Sequence, residues 1–253
     1  MHRIWIEWVG LACATVVLGC AASRPAIPST VDAQTTGSPD VVFEPVQAGV
    51  WLHRSVMHIP GYGDVPANGL VVKTSSGGLI IDTAWTPEQT AVVLDWAAEH
   101  VGPVRAVLVT HWHNDRTGGL PEVHRRGIPT YGSRRTAQLA GEHDAPTPSH
   151  PFEGTFDLAD LGVQGEAHFA GAGHSLDNVV VWLADSRVLF GGCLVKSGQA
   201  EGLGNTADAD LRAWPHTIAQ VQARYPNAAI VIPGHGPHGG IDLLSHTRSL
   251  LAR

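Results

Sequence analysis

Short apolar runs bounded by turn residues set the pattern of this chain, and they predict β-strands more often than helices. The predicted strands cover residues 50–56, 69–74, 78–82, 104–110, 165–169, 179–183, 188–190 and 229–232. Residues 57–64, between the first two strands, predict a loop rich in turn residues with apolar residues near its tip. Serine and glycine at 75–78 give a hairpin turn signal.

Three longer segments are typical of helices. The first begins after Thr86, which can cap the helix, with Pro87 at the first helical position, and it ends near His100. The other two cover residues 207–224 and 242–253. Two successive rounds of strands followed by helices predict an α/β fold in which two sheets pack together and the helices lie outside.

The first 40 residues differ in composition from the rest of the chain. Residues 1–22 are typical of an export signal, because Arg3 precedes an apolar run that is too short for a membrane span. The segment from Val17 to Cys20 resembles a bacterial lipobox, which predicts cleavage before Cys20 and its lipidation; cleavage after Ala22 is the alternative. Residues 23–40 predict a flexible linker, rich in Pro, Ser and Thr, and the folded body is expected at 41–253.

Composition and charge narrow the classes of function. A hydrophobic content of 43% and a charged content of 15% over 253 residues are typical of a globular protein with a substantial core. The net charge of -7 offers no basic surface for nucleic acid. Cys13 and Cys20 lie in the N-terminal run, so Cys193 has no disulfide partner in the body. It is either an unprotected thiol or a metal ligand.

The strongest chemical signal follows the predicted strand 104–110. His111 and His113 alternate along an extended segment, so their imidazoles can point to one side, and Asp115 can reach the same spot as the chain turns. Imidazole and carboxylate together suit a divalent ion such as zinc. A strand end that merely carries polar residues is the alternative, and the His-x-His-x-Asp spacing favours metal over it.

Three more candidate ligands follow apolar segments and are flanked by glycine, namely His174, Cys193 and His235. Glycine lets the backbone turn sharply and place a side chain at a sheet edge. Each of these residues alone is weak support for a metal site. Together with the His-x-His-x-Asp segment they predict a cluster.

The joint pattern resembles the metallo-β-lactamases over roughly residues 41–253, and specifically subclass B1, the di-zinc carbapenemases. The resemblance implies an αββα sandwich of two mixed β-sheets with helices on the outer faces. It also implies two zinc ions per chain. The resemblance assigns the first zinc to His111, His113 and His174, and the second to Asp115, Cys193 and His235.

The resemblance extends to the substrate pocket. The apolar loop 57–64, the Asn-Gly pair at 68–69 and residues 81–85 resemble the New Delhi type, whereas the Pro-Gly-His-Gly of 233–236 resembles the Verona type. It implies that Met57, Tyr62 and Trp85 contact substrate. Lys196 matches the residue that binds the substrate carboxylate, with an ordinary exposed lysine as the alternative. Asn205 matches the residue beside the developing oxyanion, with a structural loop asparagine as the alternative.

The implied activity is hydrolysis of penicillins, cephalosporins and carbapenems, by attack of a hydroxide held between two zinc ions and oriented by Asp115. The implied protein is a monomer with small-molecule substrates. The lipobox adds a periplasmic location, with lipidated Cys20 as the anchor in the outer membrane and no other membrane contact.

Two alternatives remain open at this stage. One is another hydrolase of the same fold, acting on a lactone or a thioester. Those hydrolases typically carry His where this chain has Arg116, and an aspartate where it has Cys193, so both residues favour a β-lactamase. The other is a periplasmic zinc-binding lipoprotein without catalysis. His58 and His238 are expected to be surface residues, and Asp82 is expected to orient a ligand.

Overall fold

The computed structural model describes residues 41–253, so the predicted signal, the lipobox with Cys20 and the linker lie outside the described residues. The strands are β1 (Val41–Gln47), β2 (Val50–Ile59), β3 (Gly63–Thr74), β4 (Gly77–Ile81), β5 (Val104–Leu108), β6 (Thr130–Ser133), β7 (His150–Phe152), β8 (Thr155–Asp157), β9 (Gly165–His168), β10 (Val180–Leu183), β11 (Val188–Gly192) and β12 (Ile230–Pro233). The α-helices are α1 (Pro87–His100), α2 (Asn114–Thr117), α3 (Leu120–Arg125), α4 (Arg134–Glu142), α5 (Trp214–Arg224) and α6 (Asp242–Leu251).

Two mixed sheets form the centre of the molecule. Strands β1 to β7 lie in chain order in a seven-stranded sheet, antiparallel as far as β4 and parallel from β4 onward. The five-stranded sheet has the order β12-β11-β10-β9-β8, and only its β11–β12 pair is parallel. Parallel pairs place the ends of β4, β5, β11 and β12 at one edge of the sandwich, where ligand-bearing loops can meet.

Three apolar layers hold the sandwich together. The first lies between the sheets and includes Leu70 and Phe190, both fully buried. The second packs α1 and α3 on the outer face of the larger sheet, and the third packs α5 and α6 on the smaller sheet around Trp214. The predicted αββα sandwich is therefore confirmed. No helix in residues 41–253 is both long and apolar enough to cross a bilayer.

Local sequence explains helix α1. Thr86 has extended backbone, and its hydroxyl accepts a hydrogen bond from the Gln89 amide at 3.2 Å. Pro87 begins the helix, where its missing N–H leaves no partner unsatisfied. The helix ends at His100, so the prediction for this element is confirmed at both ends.

Two predicted elements need correction. Residues 57–64 are mostly strand and not loop, because β2 and β3 pair as far as Ile59 opposite Gly63 and leave only a short tip. We call this hairpin end, residues 57–65, the flap. The helix predicted at 207–224 begins only at Trp214, because the Asp210 carboxylate accepts hydrogen bonds from the amides of Arg212 and Ala213 and holds a turn there.

Candidate metal centre

The predicted ligands come from loops that follow strands of both sheets. His111 and His113 follow β5, and Asp115 lies in the first turn of α2. His174 lies between β9 and β10, and Cys193 directly follows β11. His235 lies two residues beyond the end of β12. The structure brings all six side chains to one edge of the sandwich.

Three histidines form the first group, which we call the histidine triad. His113 Nδ1 lies 3.1 Å from His111 Nε2 and 3.1 Å from His174 Nε2. The rings meet edge to face, with interplanar angles of 80° and 82°. Burial lowers the pKa of both His111 and His174 well below the ordinary value, so their rings are neutral. Neutral imidazoles with converging nitrogens are metal ligands in their required protonation state.

Asp115, Cys193 and His235 form the second group, which we call the cysteine triad. The Cys193 thiol lies 3.3 Å from His235 Nε2 and 3.4 Å from an Asp115 oxygen, and that oxygen lies 3.1 Å from His235 Nε2. Partial burial alone would lower the pKa of His235, but Cys193 and Asp115 raise it to about 9. This pocket therefore favours a positive charge among its three side chains.

These residues fit zinc by both geometry and donor type. Tetrahedral zinc with bonds of about 2.0–2.1 Å to nitrogen or oxygen holds its ligand atoms about 3.3 Å apart. The nitrogen and oxygen separations of 3.1 Å in both triads are close to that spacing. Some groups whose ligand atoms all lie within 4.8 Å of one another contain members of both triads, so the two triads adjoin. Thiolate and imidazole are typical zinc ligands, and the buried thiol is the one free cysteine in residues 41–253.

Arg116 lies fully buried beneath the cysteine triad. One guanidinium nitrogen donates to Asp115 at 2.8 Å, to Cys193 Sγ at 3.1 Å and to the Gly234 carbonyl at 2.9 Å. Burial alone would lower the pKa of Arg116, but Asp115, Cys193 and Asp82 raise it. Burial alone would raise the pKa of Asp115, but Arg116 and His235 hold it well below the ordinary value. The permanent cation therefore favours the ionised form of Asp115.

Asp82 is connected to a metal ligand through one intervening side chain. It accepts hydrogen bonds from the Thr110 amide at 2.7 Å and the Thr110 hydroxyl at 2.8 Å, and it lies 3.3 Å from Arg116. The Thr110 hydroxyl in turn lies 3.3 Å from His111 Nδ1. Asp82 therefore reaches His111 through Thr110, in agreement with its predicted orienting role.

Asp208 contacts a ligand directly, and no pattern in the sequence predicts this contact. One carboxylate oxygen lies 3.1 Å from His113 Nε2 and fixes the ring so that Nδ1 faces the other histidines. Asp208 follows no apolar strand and lacks the spacing of a ligand, so its position after a strand could not predict its role. Only its position beside His113 in the folded structure indicates that it orients this ligand.

A cavity of about 380 Å³ opens over both triads. The predicted substrate contacts Tyr62, Trp85, Lys196 and Asn205 all line it. Met57 does not line it: this side chain is only 4% exposed and packs against Ile59, Ala67 and Trp85 under the flap.

Two polar side chains in the cavity wall are available to a ligand. The Lys196 ammonium lies 5.3 Å from the centre of the Trp214 ring and has no ion pair among residues 41–253. Burial lowers the pKa of Lys196, and Cys193 opposes that shift. The Asn205 amide oxygen accepts a hydrogen bond from the Ala207 amide at 3.2 Å, and because Asn205 lines the cavity, its amide nitrogen is available to a ligand.

Two other histidines lie outside the ligand groups. His58 is exposed on the flap and lies 2.8 Å from Asp64, opposite it across the hairpin. His238 lies 3.6 Å from Glu44, and neither residue belongs to a group of ligand atoms among the described residues. Both placements agree with the expectation of surface residues.

Comparisons with known proteins identify the family. The sequence profile of the metallo-beta-lactamase superfamily matches residues 62–235, more than half of the chain. The "Metallo-beta-lactamase type 2" of Bacteroides fragilis is 36% identical over 215 residues, which cover 85% of this chain and 86% of that protein. A solved metallo-beta-lactamase from Pontibacter korlensis is 45% identical with a TM-score of 0.80, covering 85% of this chain and 100% of its own.

A further solved structure, of the DIM-1 metallo-beta-lactamase exposed to ceftazidime, is 38% identical with a TM-score of 0.82. The aligned part covers 85% of this chain and 98% of the DIM-1 chain. The profile match of residues 62–235 contains all six ligands of the two triads. The chain therefore belongs to the metallo-β-lactamase superfamily, among its B1-like members.

Proposed function

We propose that this protein is a zinc-dependent β-lactamase that hydrolyses the lactam amide of penicillins, cephalosporins and carbapenems. One observation carries the proposal: two adjoining ligand triads, one with a buried thiol, form the floor of a largely apolar cavity. Relatives that carry the name metallo-beta-lactamase support it across most of the chain.

The two triads support two zinc ions per chain. His111, His113 and His174 would hold one ion, and the cysteine triad would hold the other. Bound zinc supplies a nucleophilic water at neutral pH and polarises a carbonyl oxygen. Arg116 favours the ionised form of Asp115 and donates a hydrogen bond to Cys193 Sγ, and Asp208 keeps His113 in the orientation that its ion requires.

The cavity wall supplies the groups that bind and orient substrate. The Lys196 ammonium pairs with the carboxylate that β-lactam antibiotics carry beside the ring, since it lines the cavity and has no ion-pair partner among residues 41–253. The Asn205 amide nitrogen donates to the oxygen on which negative charge develops. Ile59, Tyr62 and Trp85 provide apolar contact that tolerates varied shapes, which suits a broad range of substrates.

Turnover of a carbapenem by the purified protein tests this function. We expect imipenem hydrolysis that a chelator abolishes and added zinc restores. His235→Ala should remove most of the activity, whereas His238→Ala, three residues further on, should not. Absence of β-lactam hydrolysis with full zinc loading would refute the proposal and leave a binding protein.

Arg116 argues against the other hydrolases of this fold. It occupies the position where they typically carry a further histidine, and a guanidinium cannot give up its proton to bind a metal. Parallel assays with a lactone and a thioester separate the two functions. Faster turnover of either substrate than of imipenem would reverse the assignment.

The N-terminal 40 residues lead to proposals of their own. Residues 1–22 would direct export, and residues 41–253 would form the catalytic domain. Residues 23–40 would be the flexible linker between them. A lipid on Cys20 would anchor the monomeric protein to the outer membrane, facing the periplasm. Cys20→Ala should then abolish labelling by radioactive palmitate in growing cells, and cleavage after Ala22 instead would leave the wild type unlabelled.

The likeness of the flap to the New Delhi type, and of residues 233–236 to the Verona type, stays a proposal about specificity.

A further inference from the structure

Asn68 connects three parts of the molecule that surround the cysteine triad. It lies in β3 and is only 1% exposed. Its amide nitrogen donates to the Pro233 carbonyl at 2.9 Å and to the Gly236 carbonyl at 2.8 Å, and its amide oxygen accepts from Arg54 at 3.1 Å. Only this orientation of the amide pairs donors with acceptors, so the side chain is fixed.

The two carbonyls that Asn68 binds lie on either side of His235. Pro233 ends β12, and Gly236 follows His235 with a positive φ of 80°, so the chain turns sharply between them. One amide group therefore holds both ends of the turn that carries this ligand. The ring of His235 is fixed from the same strand, because its Nδ1 lies 2.6 Å from the Pro66 carbonyl.

The backbone of Asn68 reaches the other members of the site. Its N–H donates to the Gly234 carbonyl at 2.9 Å, and its carbonyl accepts from Arg116 at 2.5 Å. The same guanidinium donates to Asp115 and to Cys193. The position of Asn68 thus sets both the His235 turn and the cation beneath the other two ligands.

We propose that Asn68 is a positioning residue for the cysteine triad and gives that triad its metal affinity. It contacts none of the histidine triad, so its effect falls on one metal site. The inference rests on the metal-binding function proposed above, and on the ligand sets given there. Asn68 precedes Pro233 by 165 residues and lies in the other sheet. The proposal therefore adds a residue of the opposite sheet to those that build the site.

Cobalt titration of the purified, metal-stripped protein tests this proposal without relying on activity. Cobalt bound to the cysteine triad gives a thiolate charge-transfer band, and cobalt bound by imidazoles alone does not. Asn68→Leu keeps the number and branching of the side-chain heavy atoms but removes the hydrogen-bond donors. We expect its affinity for cobalt in the thiolate band to fall about 10- to 100-fold, as is typical when a group that orients a ligand is lost. Binding by the histidine triad should stay unchanged.

Two further variants keep the test decisive. Asn68→Ser retains one donor, so it should lose less cobalt affinity than Asn68→Leu. It also provides the test if Asn68→Leu fails to fold. Gln89→Met removes another buried donor, the bond from Gln89 to the Val56 carbonyl, and serves as the control for general loss of stability. It should leave the thiolate band unchanged. Unaltered affinity in both Asn68 variants, or equal weakening of both sites, would overturn the proposal.

Failure of the proposed function would look different. If the wild-type protein gave no thiolate band or bound no second cobalt ion, the ligand assignment itself would be wrong. If the wild type gave the band and bound two ions while the Asn68 variants matched it, only the role of Asn68 would be wrong.

Discussion

Arg116 and Cys193 together give this site its chemical character. The guanidinium is fully buried and bonds to the thiol, to Asp115 and to the Gly234 carbonyl, so its charge is compensated on several sides. A buried arginine without such partners would be strongly destabilising. The arrangement instead places a buried, soft sulfur ligand at the metal site, which suits zinc and leaves no unprotected thiol at the surface.

Cys193→Ser tests the role of the sulfur. Serine keeps the size but not the acidity of the thiol, so we expect one of the two zinc equivalents to bind much more weakly and turnover of imipenem to fall about 100-fold. Zinc content by mass spectrometry and kcat provide the measurements. Two tightly bound zinc ions together with full activity would show that Cys193 is not a ligand.

Lys196→Ala tests the substrate carboxylate site. Loss of a charge-assisted hydrogen bond of about 1.5–3 kcal/mol should lower kcat/KM about 10- to 100-fold, mainly through KM. Lys73→Ala, which removes an exposed lysine in β3, is the matched control. An unchanged KM for imipenem in Lys196→Ala would exclude this role.

Among the elements, the flap departs most from its predicted form. The β2–β3 pairing continues to Ile59, although turn residues suggested a loop, because strand pairing can satisfy backbone groups close to a tight turn. Its base is tied to the pocket wall by a hydrogen bond of 3.1 Å from the Trp85 indole to the Val65 carbonyl. The exposed end of the flap, with Tyr62 47% accessible, is free of such a tie in the described residues.

Trp85→Phe tests the connection between flap and wall. Phenylalanine keeps an apolar ring but removes the donor, so we expect faster amide hydrogen exchange in the flap and a KM for imipenem about 2- to 10-fold higher. Trp51→Phe, at the opposite end of β2, should change neither. Equal exchange rates in wild type and Trp85→Phe would show that the hydrogen bond does not hold the flap.

Sequence pattern predicted those elements that carry their own signals. Helix α1 has both a capping threonine and a proline, and the central strands are continuous apolar runs. Strands β6 to β8 and helix α4 are short and partly polar, and they were not predicted. Their formation depends on neighbouring elements rather than on local periodicity, so the local sequence pattern does not predict them.

At the scale of the molecule, the metal centre lies where both sheets end. The six ligands were predicted because their positions after apolar segments, taken together, resemble the ligand pattern of the metallo-β-lactamases, and the structure brings them to one edge. Asp208 and Asn68 were not predicted as site residues, because their roles depend on contacts across 95 and 165 residues of sequence. The sequence therefore predicts the groups that bind metal better than the groups that position them.

Global stability should depend on pH through His53. Burial lowers the pKa of His53 to about 4 from 6.5, with the Asp82 carbonyl opposing the shift. Below pH 6.5 the unfolded chain takes up a proton that the folded protein refuses, so the free energy of unfolding falls between pH 6.5 and 4. The full difference corresponds to about 3 kcal/mol.

Urea unfolding at several pH values measures this effect. His53→Gln should flatten the dependence in that range relative to wild type, whereas His100→Gln, at an exposed position on α1, should not. Parallel curves for wild type and His53→Gln would show that other groups cause the loss of stability.

The separation of the ligands along the chain has a consequence for refolding. His111 and His235 follow strands of different sheets, and β12, which precedes His235 and pairs with β11, is the last strand along the chain. Long-range pairings of this kind form slowly. After dilution from denaturant in the presence of cobalt, the thiolate absorption should thus lag behind the circular dichroism of the backbone, because capture of the ion at the thiol waits for the last strand.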